Sequence, residues 1–290
     1  MKKIVAFTLL LCMVLTFAAC GKVEITMQEI YDANQIDALF KTHQNVYFRS
    51  EMDGELWIET YLTKDYIFNY MPGEEYDWLE FLTHDACYYL DGEDYVYYVY
   101  ITPDGVTNFA SDLAERSTSS VVTEDTIDEV IESVSKKDGL ITVKSVLSQK
   151  SIENMAEFGV TSGESEYVLD AKTHEIVSLV SASTYDNGTS LSVVTKVAFD
   201  TDTPEKLKTI LAYESQTENL RNITIVSNPG AEKEETKTIQ VPKGLIMGFQ
   251  FDDSFADAVT FYIDAACERA YDPYANTDSD LTIYIKWANT

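Results

Sequence analysis

Histidine is nearly missing from this 290-residue chain, with His43, His84 and His174 its three examples. No two of them stand at i, i+4 spacing, so no helix offers a histidine pair to a metal. Basic residues are scarce too: 21 Lys and Arg face 49 Asp and Glu, a net charge of −28. Without a basic stripe to neutralise phosphates, nucleic acid is excluded as a partner. Adhesion to anionic lipid through a basic surface is excluded for the same reason. Four cysteines are too few for a disulfide scaffold. The apolar run from Ile4 to Phe17 is too short for a comfortable membrane span.

What the chain does have is strand-forming sequence. Residues 46–105 are β-branched and aromatic runs cut by Asp53-Gly54, Pro72-Gly73, Asp91-Gly92 and Asp104-Gly105. Asp-Gly readily supplies the positive φ of a tight hairpin, so an up-and-down antiparallel meander is expected. Ahead of it, Thr26-Met27-Gln28-Glu29 fits a capping box. It opens a predicted helix over 27–43 that presents Ile30, Ile36, Leu39 and Phe40 to the sheet. Glu74–Leu82 is too polar for a clear strand, and Phe109–Thr123 reads as a loop. Ile127, Val130, Ile131 and Val134 at helical spacing predict a helix over 124–137, stopped by Asp138-Gly139. Strands are expected again at 140–147, 166–170, 175–184 and 190–199, with Asn187-Gly188 as a hairpin turn. Thr203-Pro204-Glu205 opens a further helix carrying Leu207, Ile210 and Leu211.

The first twenty residues carry an address. Lys2 and Lys3 precede the apolar run, which ends in Phe17-Ala18-Ala19-Cys20-Gly21. Small residues before a cysteine resemble the bacterial lipobox, although Phe17 replaces the usual Leu. The resemblance implies removal of residues 1–19, lipidation of Cys20 and anchoring on the extracytoplasmic face of the cell membrane. Residues 20–25 then form a short tether that holds the next domain near the bilayer. Loss of the leader removes Cys12. Cys87 and Cys267 are expected as two separate small core residues.

Two further resemblances set the expected organisation. The helix–meander–helix–meander order of residues 26–216, with the tract Tyr167–Asp200 carrying most of the likeness, resembles the LolA-like lipoprotein-carrier half-barrel. That resemblance implies a curved antiparallel sheet around helices, with an apolar cavity for acyl chains. Residues 219–290 resemble the Listeria–Bacteroides repeat, also called the internalin B-repeat. The matching residues are Phe261, Tyr262, Asp264, Cys267, Tyr271, Asp272, Asp280, Leu281, Thr282, Tyr284, Lys286 and Trp287. The middle departs from that pattern at Val241-Pro242-Lys243-Gly244 and at the acidic 252–257 stretch. The resemblance implies a small β-grasp-like module that acts as a spacer or a weak protein-binding unit. The expected fold class is therefore α+β, mostly antiparallel β.

Candidate chemistry is thin. His84-Asp85 beside Cys87 suggests a nucleophile, but base, nucleophile and orienting group have no framework to converge on. Asp272, Asn276, Asp278 and Asp280 cluster oxygens, yet lack EF-hand spacing, its central Gly and its terminal Glu. Glu74-Glu75 and Asp252-Asp253 serve a glycosidase only if two carboxylates face one cleft. Asn187 and Asn222 open glycosylation sequons that a bacterial leader makes irrelevant. Tyr95, Tyr97, Tyr98 and Tyr100, with Tyr88 and Tyr89, are the candidate binding face, set against ordinary amphipathic tyrosines of a half-wet sheet. No catalytic residue, metal or cofactor is expected. The expected role is non-enzymatic binding of a lipid or other apolar ligand, or of a surface protein. The competing expectations are an acidic-residue envelope hydrolase, recognisable by convergent carboxylates, and a spacer or sensor component without a ligand.

Overall fold

A computed structural model describes residues 24–91, 94–117, 122, 124–214, 218–230, 234–251, 259–275 and 277–288. Cys20, Gly92, Asn276, Asp252 and Asp253 lie outside these residues. In chain order the elements begin with α1 (Met27–Ala33) and α2 (Ile36–Leu39), then β1 (Val46–Met52), β2 (Glu55–Leu62) and β3 (Tyr66–Met71). Next come β4 (Trp78–Thr83), β5 (Cys87–Asp91), β6 (Asp94–Thr102), β7 (Gly105–Thr107) and α3 (Ala110–Ser117). A 3₁₀ turn over Glu124–Asp128 leads into β8 (Val130–Lys137), β9 (Leu140–Val146) and α4 (Gln149–Asn154). A second 3₁₀ turn, Ala156–Phe158, precedes β10 (Val160–Asp170), β11 (Ile176–Tyr185), β12 (Ser190–Phe199) and α5 (Glu205–Glu214). The chain closes with β13 (Leu220–Ser227), β14 (Glu235–Pro242), β15 (Ile246–Gln250), β16 (Val259–Tyr262) and β17 (Leu281–Trp287). The protein is mostly antiparallel β with few helices.

Two compact units divide the chain, and neither follows the expected boundary near residue 216. One unit joins the segment up to Ala33 to 124–190; the other joins 34–123 to 191–290. In the first, β8, β9, β10 and β11 pair in chain order, burying Ile141, Val143, Tyr167, Leu169 and Ile176. The capping box forms as expected: Thr26 N–H donates to Glu29 Oε2 at 2.8 Å, and Glu29 N–H to Thr26 Oγ1 at 3.2 Å.

In the second unit β1 to β6 form the expected meander, with β12 added beside β1 and β15 beside β6. One face of this sheet carries Phe68, Leu79, Phe81, Tyr88, Tyr97 and Val99. Against it pack Leu207 and Ile210 of α5 and a four-stranded sheet of order β14-β13-β17-β16. The centre of that smaller sheet, β13 beside β17, is parallel. Ile223 and Ile225 of β13 and Ile283 and Ile285 of β17 all point into this shared core. Period-2 alternation made both strands apolar on one face, and the aromatic meander supplies the surface that covers it.

Several local expectations are corrected. Ile30, Ile36, Leu39 and Phe40 are buried as expected, but 27–43 is no single helix. Gln35 is extended at ψ 137°, which separates α1 from α2. The predicted helix over 124–137 is a 3₁₀ turn followed by strand β8. Its β-branched Val130, Ile131 and Val134 pair with β9, and Asp138-Gly139 is the hairpin, not a helix stop. Asp138 at φ 52° and Gly139 at φ 81° suit a two-residue turn that requires left-handed backbone twice. Asp tolerates that region, whereas a Cβ at Gly139 is strained there. Gly139→Ala is expected to destabilise the protein by about 1–2 kcal/mol in denaturant titration. An unchanged midpoint would refute the turn assignment. Ala110–Ser117, expected as loop, is helical, with its first N–H bonded to Asn108 Oδ1 at 3.1 Å. Glu74–Leu82, expected as irregular, contains β4, whose register sets Glu80 opposite Asn69 and Tyr89.

Candidate functional site

The six expected tyrosines do not share a face. β6 alternates, so Tyr95 and Tyr97 turn toward the core shared with the smaller sheet, where Tyr97 meets Tyr88 edge-on at 5.1 Å. Tyr98 and Tyr100 point to the opposite side with Tyr89, around Leu82, Cys87 and Phe109. Of the four candidate residues, Tyr98 lines a cleft beside β15.

That cleft, about 240 Å³, lies where β15 joins β6 in parallel. Val96, Tyr98, Ile246, Met247 and Gly248 line it on the strands, together with Phe249. Phe261 of β16 and Tyr271, Pro273 and Tyr274 of the following loop line the rest. Phe249 and Phe261 stack at 4.5 Å with planes 10° apart, and Tyr271 meets Phe249 nearly edge-on at 6.1 Å. Tyr271 donates its hydroxyl to the Met247 carbonyl at 2.9 Å. Burial pushes that phenol up to about 12, with the Arg221 guanidinium opposing the shift. Arg221 is itself buried and donates Nη2 to the carbonyl of Leu245, the residue just before β15, at 2.8 Å. Tyr274 remains 62% exposed at the cleft.

Gly248 decides how far the rings can approach the strand. It stands directly opposite Tyr98, and a Cβ added there would lie 2.5 Å from Tyr98 Cε1. The Tyr98 ring therefore lies over bare backbone and meets Tyr89 edge-on at 5.3 Å. Sequence reasoning missed Phe249 and Tyr274, and treated Phe261 and Tyr271 as framework. The short apolar run Ile246-Met247-Gly248-Phe249 was the available signal, but its strand partner is about 150 residues earlier in sequence.

The other candidates separate. Cys87 is buried beside Leu82 and Phe109, while His84 is exposed and pairs with Asp85 at 2.8 Å. Cys267 is not a core residue; it is half-buried, at φ 55°, with its N–H bonded to the Asp264 carbonyl. Cys87 and Cys267 are not joined in a disulfide. Asp280 accepts from Asn222 N–H at 2.7 Å and Nδ2 at 3.1 Å, and Asp272 accepts from Tyr274 N–H at 3.0 Å. Among the described residues no three or more His, Cys, Asp and Glu side chains are grouped to hold a metal. Glu74 and Glu75 are exposed. Glu132, Glu164 and Glu166 do share a cleft of about 220 Å³, with Lys144 Nζ 2.8 Å from Glu166. The half-buried Glu129 bonds Ser165 and Tyr167, which alternate with Glu164 and Glu166 and so face the other way.

No family model matches the sequence, and no curated protein matches it. Among solved structures, the Mycobacterium tuberculosis lipoprotein LppX aligns over 61% of this chain and 94% of its own. The identity is 13% and the TM-score 0.37, a likeness that assigns neither fold nor function. No described helix is long and apolar enough to cross a membrane.

Proposed function

We propose that the chain is a lipoprotein, acylated at Cys20 and held on the extracytoplasmic face of a bacterial membrane, that binds an apolar group without transforming it. The observation carrying this reading is the aromatic cleft at the β6–β15 junction. Ligand sites are mostly apolar, with a few placed polar groups, and usually span about 300–1,000 Å³. At about 240 Å³ this cleft suits one ring or a short apolar segment rather than a whole lipid. The Tyr271 hydroxyl is engaged with Met247, which leaves ring faces and edges as its contribution.

The strand order β14-β13-β17-β16 with a parallel centre supports the resemblance of 219–290 to a β-grasp-like surface module. The LolA-like half-barrel reading of the meander rests on its consecutive antiparallel strands. Both readings bear on the same cleft, because β6 belongs to one segment and β15 to the other.

Titration with the neutral fluorophore N-phenyl-1-naphthylamine tests the site. Gly248→Val places side-chain atoms where the Tyr98 ring lies, so probe affinity is expected to fall by at least about tenfold, near 1.4 kcal/mol. Equal affinity in the variant would move the binding site elsewhere. Mass spectrometry of protein extracted from membranes separately tests acylation of Cys20 and reports any apolar molecule that travels with it.

A further inference from the structure

We propose that Glu129 is a proton-operated latch in the unit formed by residues 24–33 and 124–190, closing the 3₁₀ turn onto β9 and β10 as the surroundings become more acidic. The inference does not depend on the aromatic cleft. Glu129 sits between the 3₁₀ turn and β8, just before the bulge at Ile131 and Ser133. Its Oε2 accepts from the Ser145 hydroxyl of β9. Its Oε1 accepts from Ser165 Oγ at 3.3 Å and from Tyr167 OH at 3.0 Å, both on β10. One carboxyl group thus ties three segments together, and Ser145 and Tyr167 are each 1% exposed.

Every donor in this cluster is a neutral hydroxyl. The charged groups of the surrounding elements are paired with other groups or exposed: Glu153 of α4 accepts from Gln149 Nε2 at 3.1 Å, and Glu164 of β10 is exposed. Asp128 of the turn pairs with Lys150 of α4 at 2.6 Å, and Lys144 of β9 pairs with Glu166 of β10. Glu132 of β8 is exposed. On α1, which packs on the turn, Glu29 is bound by its own capping box and Asp32 accepts from Gln28 at 2.8 Å. Burial first, and then the Glu129 carboxylate, keep the Tyr167 phenol protonated. Burial raises the Glu129 pKa, and the three hydroxyls offset part of that rise.

The sign follows from linkage. A carboxyl group whose folded pKa is raised binds its proton more tightly folded than unfolded. Its contribution is complete below the ordinary glutamate value and is lost as pH rises through the folded value. On an exported protein that group meets the external pH rather than a buffered cytosol. α1 follows the tether, so loosening the turn loosens the segment nearest the proposed anchor.

Hydrogen exchange on the full chain, corrected for intrinsic rates, tests the latch between pH 4 and pH 8. In the wild type, amides of residues 27–33 and 126–129 are expected to lose protection as Glu129 titrates. Glu129→Gln, which is never charged, is expected to hold constant protection over that range. Tyr167→Phe removes one donor to the ionised form and is expected to move the wild-type midpoint up by about 1 pH unit. A pH profile of Glu129→Gln parallel to wild type would overturn the proposal. So would a midpoint unmoved by Tyr167→Phe, a measurement that remains available if Glu129→Gln does not fold.

Discussion

A chain truncated after Gln216 is expected to aggregate instead of folding as a free-standing half-barrel. Residues beyond that point contribute Ile223, Ile225, Val241, Ile283, Ile285 and Trp287 to the core that covers the meander. Each such side chain is worth roughly 1.5–3 kcal/mol when fully buried. Their combined loss is comparable with the whole net stability of a domain, about 5–15 kcal/mol. The truncation also uncovers Phe68, Phe81, Tyr88 and Tyr97 as one apolar face, and strips β15 from the edge of β6. A long, flat, aromatic edge is a template for aggregation. Expression of the truncated chain followed by size-exclusion chromatography and far-ultraviolet circular dichroism reads the outcome. A monomeric, cooperatively melting product would show instead that the meander carries its own core.

Trp287→Ala is expected to destabilise the second unit by about 3–5 kcal/mol, the usual cost of emptying a large aromatic site. Trp287 is 3% exposed at the end of β17, and its indole N–H donates to Ser227 Oγ on β13 at 3.3 Å. The substitution leaves a cavity and a buried hydroxyl that loses its donor. Because β17 lies in the middle of the smaller sheet, loosening propagates to both neighbours, β13 and β16. Of the three tryptophans, Trp57 and Trp78 are 43% and 36% exposed, so Trp287 alone reports the interior. Denaturant unfolding followed by tryptophan emission in the wild type, and by circular dichroism in the variant, gives the comparison. A loss under 1 kcal/mol would mean that β17 is not part of the core.

Elements whose pattern and turn chemistry agree were legible. Residues 46–105 repeat strand and turn at short intervals, and β1 to β6 follow one another in the sheet. The capping box, Pro204 before α5 and the alternation of β17 all act over a few residues, where sequence and physical cause coincide. β8 was not legible, because Ile127, Val130, Ile131 and Val134 satisfy helical spacing as well as strand propensity. What settles it is the Asp138-Gly139 turn, which makes β9 available as a partner.

Of the four tyrosines expected to bind, Tyr98 is the one placed at the aromatic cleft. Tyr98 shares a run with Tyr95, Tyr97 and Tyr100, and alternation divides them between two faces once the sheet has covers on both sides. By itself the sequence determined the acidic charge, the antiparallel strands and their tight turns, since those depend on composition and on neighbours within a few positions. The tertiary structure alone decided that β15 joins β6, that Gly248 meets Tyr98, and that Glu129 gathers Ser145, Ser165 and Tyr167. Those contacts close loops of up to about 150 residues, and their energy comes from burial and register between segments that carry no local trace of each other.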